Sequence, residues 1–179
     1  ERRDVLGAVD FLASRGVAPE KIAFLGFSLG AVAALLSAGD AGVSSVIADS
    51  AFSDLREVIR QRSRSSRSLA MLLPGMILMS RVLFGLRMRG VRPFQVVENL
   101  EFPVLFIHGE EDSTIPVDHA TRLATAAKHE ETRLWIVPGV QHARAFVKYP
   151  HEYVSRVVQY LSQTVGPVVD EVEEFVAPV

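Results

Sequence analysis

Lys21-Ile22-Ala23-Phe24-Leu25-Gly26-Phe27-Ser28-Leu29-Gly30-Ala31-Val32-Ala33-Ala34-Leu35-Leu36 reads as a strand, a sharp turn and a helix in immediate succession. Pro19 and Glu20 set a turn ahead of it. The short apolar run from Lys21 to Phe27 suits a strand buried on both faces. The alanine- and leucine-rich run from Ala31 to Ala38 suits a tightly packed helix. Ser28 stands on the turn between them. A serine hydroxyl is a poor nucleophile until it is exposed, oriented and hydrogen-bonded to a base. A sharp turn at the end of a strand supplies the first two conditions. Gly26 and Gly30 flank the serine, where larger side chains are expected to collide. The amide of Leu29, at the positive end of the helix, is expected to face a developing oxyanion.

Outward from this stretch the same alternation continues. Val5, Leu6, Val9 and Leu12 recur at helical spacing between Arg2 and Ser14, and Gly16 follows as a stop. Ser44 to Ala48, Pro103 to His108 and Arg133 to Val137 are further short apolar strands. Helices are predicted from about Val117 to Lys128 and from Ala145 to Gln163. Strands alternating with helices argue an α/β domain with a mostly parallel sheet covered on both faces. The expected organisation is a core over residues 1–163, a helical lid insertion at about 53–98 and a C-terminal tail at 164–179.

Bulk composition narrows the function classes. Half the chain is apolar (49%) and 22% is charged, which is globular rather than disordered. A net charge of -2 gives no global argument for nucleic acid. With no cysteine, disulfides, thiolate metal sites and cysteine nucleophiles are excluded. No histidine pair has close ligand spacing, so no metal and no cofactor is expected. The chain opens at Glu1 inside a helical pattern, with no signal segment, which predicts a preceding N-terminal portion and favours the cytoplasm.

Three segments carry chemistry. The first is the turn at Ser28. The second is the buried strand ending at His108-Gly109, followed by Glu110, Glu111 and Asp112. The third is Val137-Pro138-Gly139-Val140-Gln141-His142, a strand leading into a loop with a histidine. Each lies just beyond the end of a separate strand, and in a parallel sheet those ends share one edge. A Ser, His and acid triad needs one buried carboxylate to set the histidine tautomer. Asp49, Glu110 and Glu111 compete with Asp112 for that place.

Together these segments resemble the α/β-hydrolase superfamily, specifically its bacterial esterase/lipase-like and acyl-peptidase-like members. The resemblance covers about residues 1–163. It implies a catalytic triad of Ser28, Asp112 and His142, and it favours Asp112 because His-Gly, two variable residues and Asp match the family's spacing. Ala51-Phe52-Ser53-Asp54 looks like the segment that precedes the family's lid, with Asp49 and Asp54 capping or bracing its entrance. The implied reaction is hydrolysis of a small-molecule carboxylic ester with a hydrophobic acyl group, through an acyl-enzyme. A peptidase, an acyltransferase, or a catalytically incomplete fragment acting as a binding or assembly module are the alternatives.

The departures are equally informative. The family's second oxyanion amide comes from a loop ahead of the nucleophile strand, and nothing here occupies that place. Loss of one such donor costs on the order of 10²–10³-fold, so weak or no activity is expected of this form. Without the strand that the family pairs beside it, Ile22 to Phe27 becomes an apolar edge, open to a second chain or another copy. Nine of the nineteen basic residues lie between Arg56 and Arg92 against one acid, Glu57, which suggests solvated lid helices or contact with anionic lipid. Phe27, Met71, Leu72, Met76 and Phe84 are candidates to line an acyl pocket. His108 is expected to be structural, His119, His129 and His151 to be on the surface, and Trp135 to be core.

Overall fold

The four apolar runs become four parallel strands, and a computed structural model describes residues 2–65, 71, 75, 79 and 91–167. The strands are β1 (Ala23–Phe27), β2 (Ser45–Asp49), β3 (Val104–Gly109) and β4 (Arg133–Val137), hydrogen-bonded in chain order. The helices are α1 (Arg2–Ser14), α2 (Leu29–Ala41), α3 (Leu55–Ser65), α4 (Pro93–Val97), α5 (Asp118–Ala126), α6 (Ala145–Lys148) and α7 (Pro150–Thr164). Sequential parallel strands need crossovers, and the helices between them supply these.

Alternation along each strand divides the core between two faces. Val46, Ala48, Val104 and Phe106 pack with residues of α1, α2 and α5, including Val9, Leu35 and Leu123. Ile47, Leu105, Ile107, Trp135 and Val137 pack with Tyr153, Val157 and Tyr160 of α7. The helices therefore cover both faces, as the alternating pattern requires. Trp135 is core, as expected.

β1 departs from expectation. A strand buried on both faces was the reading of its apolar run, yet Leu25 is 45% and Phe27 42% exposed. Among the described residues only β2 pairs with it, so it is an edge strand. The last predicted helix also divides. Pro150 lacks an amide proton and disfavours helical backbone at Tyr149, which sits at φ -132, so α6 ends and α7 begins there.

Within the expected lid at 53–98, residues 66–70, 72–74, 76–78 and 80–90 lie outside the described residues. The Leu55 amide donates to the Val91 carbonyl, and the Phe94 amide to the Ser53 carbonyl. Asp54 Oδ1 accepts from the Arg56 amide at 2.7 Å, capping α3, while Oδ2 pairs with Arg92 at 3.4 Å. Residues 53–56 and 91–94 are thus tied together, with Asp54 bridging α3 and Arg92.

Candidate active site

Strand register brings three distant segments to one edge. Phe27 pairs with Asp49, Asp49 with Ile107, and Gly109 with Val137, so the residues after each strand emerge side by side. Ser28 sits between β1 and α2 at φ 52 and ψ -115, a conformation that costs a non-glycine residue about 1–3 kcal/mol. Its amide donates to the Asp49 carbonyl at 2.8 Å, and its carbonyl accepts from the Val32 amide at 3.2 Å. A Cβ on Gly26 would strike the backbone of Gly30 and Ala31, so glycine is required where strand and helix touch. Gly30 itself is different: a Cβ there meets nothing within 4 Å, and the expected collision at that position does not occur. The turn leaves Leu29 as the first residue of α2, among the amides without an intrahelical acceptor.

The acid is held on the loop after β3. Asp112 is 5% exposed, and its Oδ1 accepts the amides of Thr114 at 2.8 Å and Ile115 at 2.9 Å. Its Oδ2 accepts from Nδ1 of His142 at 2.7 Å. That leaves Nε2 of His142 to accept the Ser28 hydroxyl proton at 2.9 Å. Ser28, His142 and Asp112 are therefore joined in one hydrogen-bonded chain. Such a chain can take a proton from serine while the carboxylate supports the resulting imidazolium.

The competing acids lie elsewhere. Glu110 accepts from the Gly139 amide through Oε2 at 3.2 Å, and Glu111 is exposed. Asp49, expected to brace the lid entrance, is instead fully buried at the end of β2, where its Oδ1 accepts the Ser50 hydroxyl at 2.9 Å. The register explains this, because Asp49 lies between β1 and β3. Burial pushes its carboxyl above the ordinary range, partly offset by the Ser50 hydrogen bond.

Around the acid, His108 is fully buried and donates through Nε2 to the Ile115 carbonyl at 2.8 Å, bracing the loop that presents Asp112. Gly109 beside it has a further reason: a Cβ would strike the Val140 carbonyl of the histidine loop. The Glu111 amide donates to that same carbonyl at 3.0 Å. Acid loop and histidine loop thus meet backbone to backbone.

His119 corrects the sequence reading. It is not on the surface but fully buried, with Nδ1 accepting from the Ser53 hydroxyl at 2.8 Å and Nε2 donating to Gln61 at 3.2 Å. Burial pushes its imidazole below its ordinary value. The missed signal was its spacing: His119 lies four residues before buried Leu123, on the inward stripe of α5.

Of the candidate pocket residues, Phe27 and Met71 lie among the described residues. Phe27 is partly exposed and stacks on Tyr153 at 6.4 Å between ring centroids. Met71 is helical and 83% exposed. Leu72, Met76 and Phe84 lie outside the described residues. Among the described residues no three His, Asp or Glu side chains form a metal-binding group, and no helix is long and apolar enough to cross a membrane.

Comparison with known proteins adds to this geometry. The sequence profile of the prolyl oligopeptidase family matches residues 1–167. The uncharacterised protein YqkD of Bacillus subtilis is 34% identical over 166 residues, covering 90% of this chain and 54% of the relative. The chain spans about half the length of the curated relatives it matches. Among solved structures, an esterase of Pyrococcus furiosus superposes with a TM-score of 0.67 at 21% identity, over 91% of this chain and 61% of the other. A puromycin-hydrolysing peptidase of Mycobacterium tuberculosis superposes at 0.71 with 20% identity, over 93% of this chain and 25% of the other. At such identities these likenesses carry the fold, which is that of the α/β hydrolases.

Proposed function

The chain belongs to the prolyl oligopeptidase family and is a serine-hydrolase-like α/β hydrolase of the esterase or peptidase kind; from that premise we propose that Ser28, His142 and Asp112 are its catalytic triad. The observation that carries the reading is the continuous chain from Ser28 Oγ through His142 to Asp112 Oδ2, at 2.9 and 2.7 Å. His142 Nε2 takes the serine proton as Oγ attacks the carbonyl carbon. Asp112 keeps the proton on Nδ1 and stabilises the imidazolium. The Leu29 amide supports the tetrahedral oxyanion, and His142 returns the proton to the leaving group. Water then repeats the sequence on the acyl-enzyme.

The proposed substrate is a small carboxylic ester with a hydrophobic acyl group, lying beneath a lid at about 53–98 on a core of residues 1–163. The arginines between Arg56 and Arg92 are proposed to meet anionic lipid or negatively charged substrate. The exposed edge of β1 is proposed to pair with a second chain or copy. A peptidase is the second reading, and the matching family profile specifically favours it.

A fluorophosphonate probe tests the triad directly, because Ser28 displaces fluoride at phosphorus and becomes covalently marked. Stoichiometric labelling that vanishes in Ser28→Ala supports the reading, whereas labelling that survives the substitution would sink it. A panel of p-nitrophenyl esters against aminoacyl amides then separates esterase from peptidase.

A further inference from the structure

The dipeptide that ends β2 touches both halves of the site. The Asp49 carbonyl accepts the Ser28 amide at 2.8 Å, which fixes the turn carrying the nucleophile. One residue on, the Ser50 hydroxyl accepts the Ala143 amide at 3.0 Å, and Ala143 follows His142 in the histidine loop. We propose that Ser50 is a positioning residue for the Ser28 and His142 pair, its hydroxyl holding the histidine loop against the strand end that also holds the nucleophile turn. The proposal rests on the triad reading above.

Backbone conformation sharpens the argument. Ser50 lies at φ 57, where glycine would sit without steric cost and serine does not. The side chain must therefore supply something glycine lacks. Its hydroxyl has one proton, and that proton is committed to Asp49 Oδ1 at 2.9 Å. The oxygen's lone pairs are left for the Ala143 amide. Asp49 thus sets the polarity of the contact, and both residues are fully buried.

The contact also falls where the histidine loop most needs it. Ahead of His142, the loop is already held by the Glu111 amide on the Val140 carbonyl. Behind His142, Ala143 is itself at φ 52, a conformation that alanine holds only under constraint. The Ser50 hydroxyl supplies that constraint. Asp112 still grips Nδ1 when it is lost, so the ring is displaced rather than released. A displacement of about 1 Å is enough to cost up to roughly 100-fold in rate.

The test uses the full-length protein and the fluorophosphonate probe, with inactivation resolved into kinact and KI. Ser50→Ala and Ser50→Gly both delete the hydroxyl, and glycine also relieves the strained backbone, so a folded variant is available even if alanine is poorly tolerated. Both are expected to lower kinact by roughly 10- to 100-fold with KI unchanged. The low-field proton resonance of the His142–Asp112 hydrogen bond is expected to shift in the same variants. A folded Ser50→Gly protein with parental kinact, or a loss confined to KI, would overturn the role of Ser50 while labelling stays confined to Ser28. Labelling that persists in Ser28→Ala would overturn the triad and this inference with it.

Discussion

β1 and β3 lie in one sheet, carry similarly apolar sequences and meet different fates. All six residues of β3 are buried between β2 and β4, whereas β1 has one neighbour among the described residues and leaves Leu25 and Phe27 open. The difference teaches how the candidate site is built. The candidate acid follows β3, which is paired on both sides, and the candidate histidine follows β4, which among the described residues pairs with β3 alone; their loops meet at Gly109 and Val140. The candidate nucleophile follows β1, an edge strand among the described residues, and is tied across the sheet through the Asp49 carbonyl. The candidate acid thus follows an interior strand, while the candidate nucleophile and histidine follow the two edge strands of the described sheet.

That contrast can be broken or sharpened experimentally. The largest expected effect is chemical: Asp112→Asn in the full-length protein should cut turnover by about 10⁴-fold, because His142 loses the partner that sets its tautomer. A loss below tenfold would remove Asp112 from the triad. Next comes packing. Phe106→Ala in β3 should cost about 3–5 kcal/mol, against under about 1 kcal/mol for the half-open Phe27→Ala in β1. Denaturant unfolding of the 179-residue chain checks both, and equal costs would mean that the two strands are equally enclosed.

A smaller effect concerns pH. Buried His119 has its imidazole pushed down, so below its ordinary value near 6.5 the unfolded chain binds more protons than the folded one. Stability is therefore full above that pH and declines as pH falls. His119→Gln should flatten this acid slope in thermal melts taken across the range, while an unchanged slope would assign it to other groups. The smallest effect belongs to the β1 face. Leu25→Lys should change the stability of the 179-residue chain by no more than about 0.5 kcal/mol. A cost above about 2 kcal/mol in a longer form would show that further polypeptide covers this face.

Much of the architecture was legible because its signals are local. Apolar runs closed by turn residues marked all four strands to within a residue or two, and the serine turn declared itself through Gly26 and the helix that follows. His108 was readable as structural from its place at a strand end. Local signals fail where a neighbour distant in sequence decides the environment. The inward spacing of His119 was present in α5, but its burial depends on Ser53, just ahead of α3, and Gln61 within it, both far ahead of it in sequence. The same limit applied to Asp49, whose enclosure comes from strands on either side.

The sequence by itself determined the order of strands and helices, the strained serine turn, and the three strand ends from which Ser28, Asp112 and His142 emerge. Periodicity and turn chemistry act within a few residues, so one chain segment suffices to express them. Tertiary packing alone settles which of several carboxylates meets His142, which strands lie at the edges of the described sheet, and that Asp49 and Ser50 join both halves of the candidate site. Those contacts include pairs 30 and 93 positions apart, and their distances are set by strand register and by the packing of loops across the sheet edge.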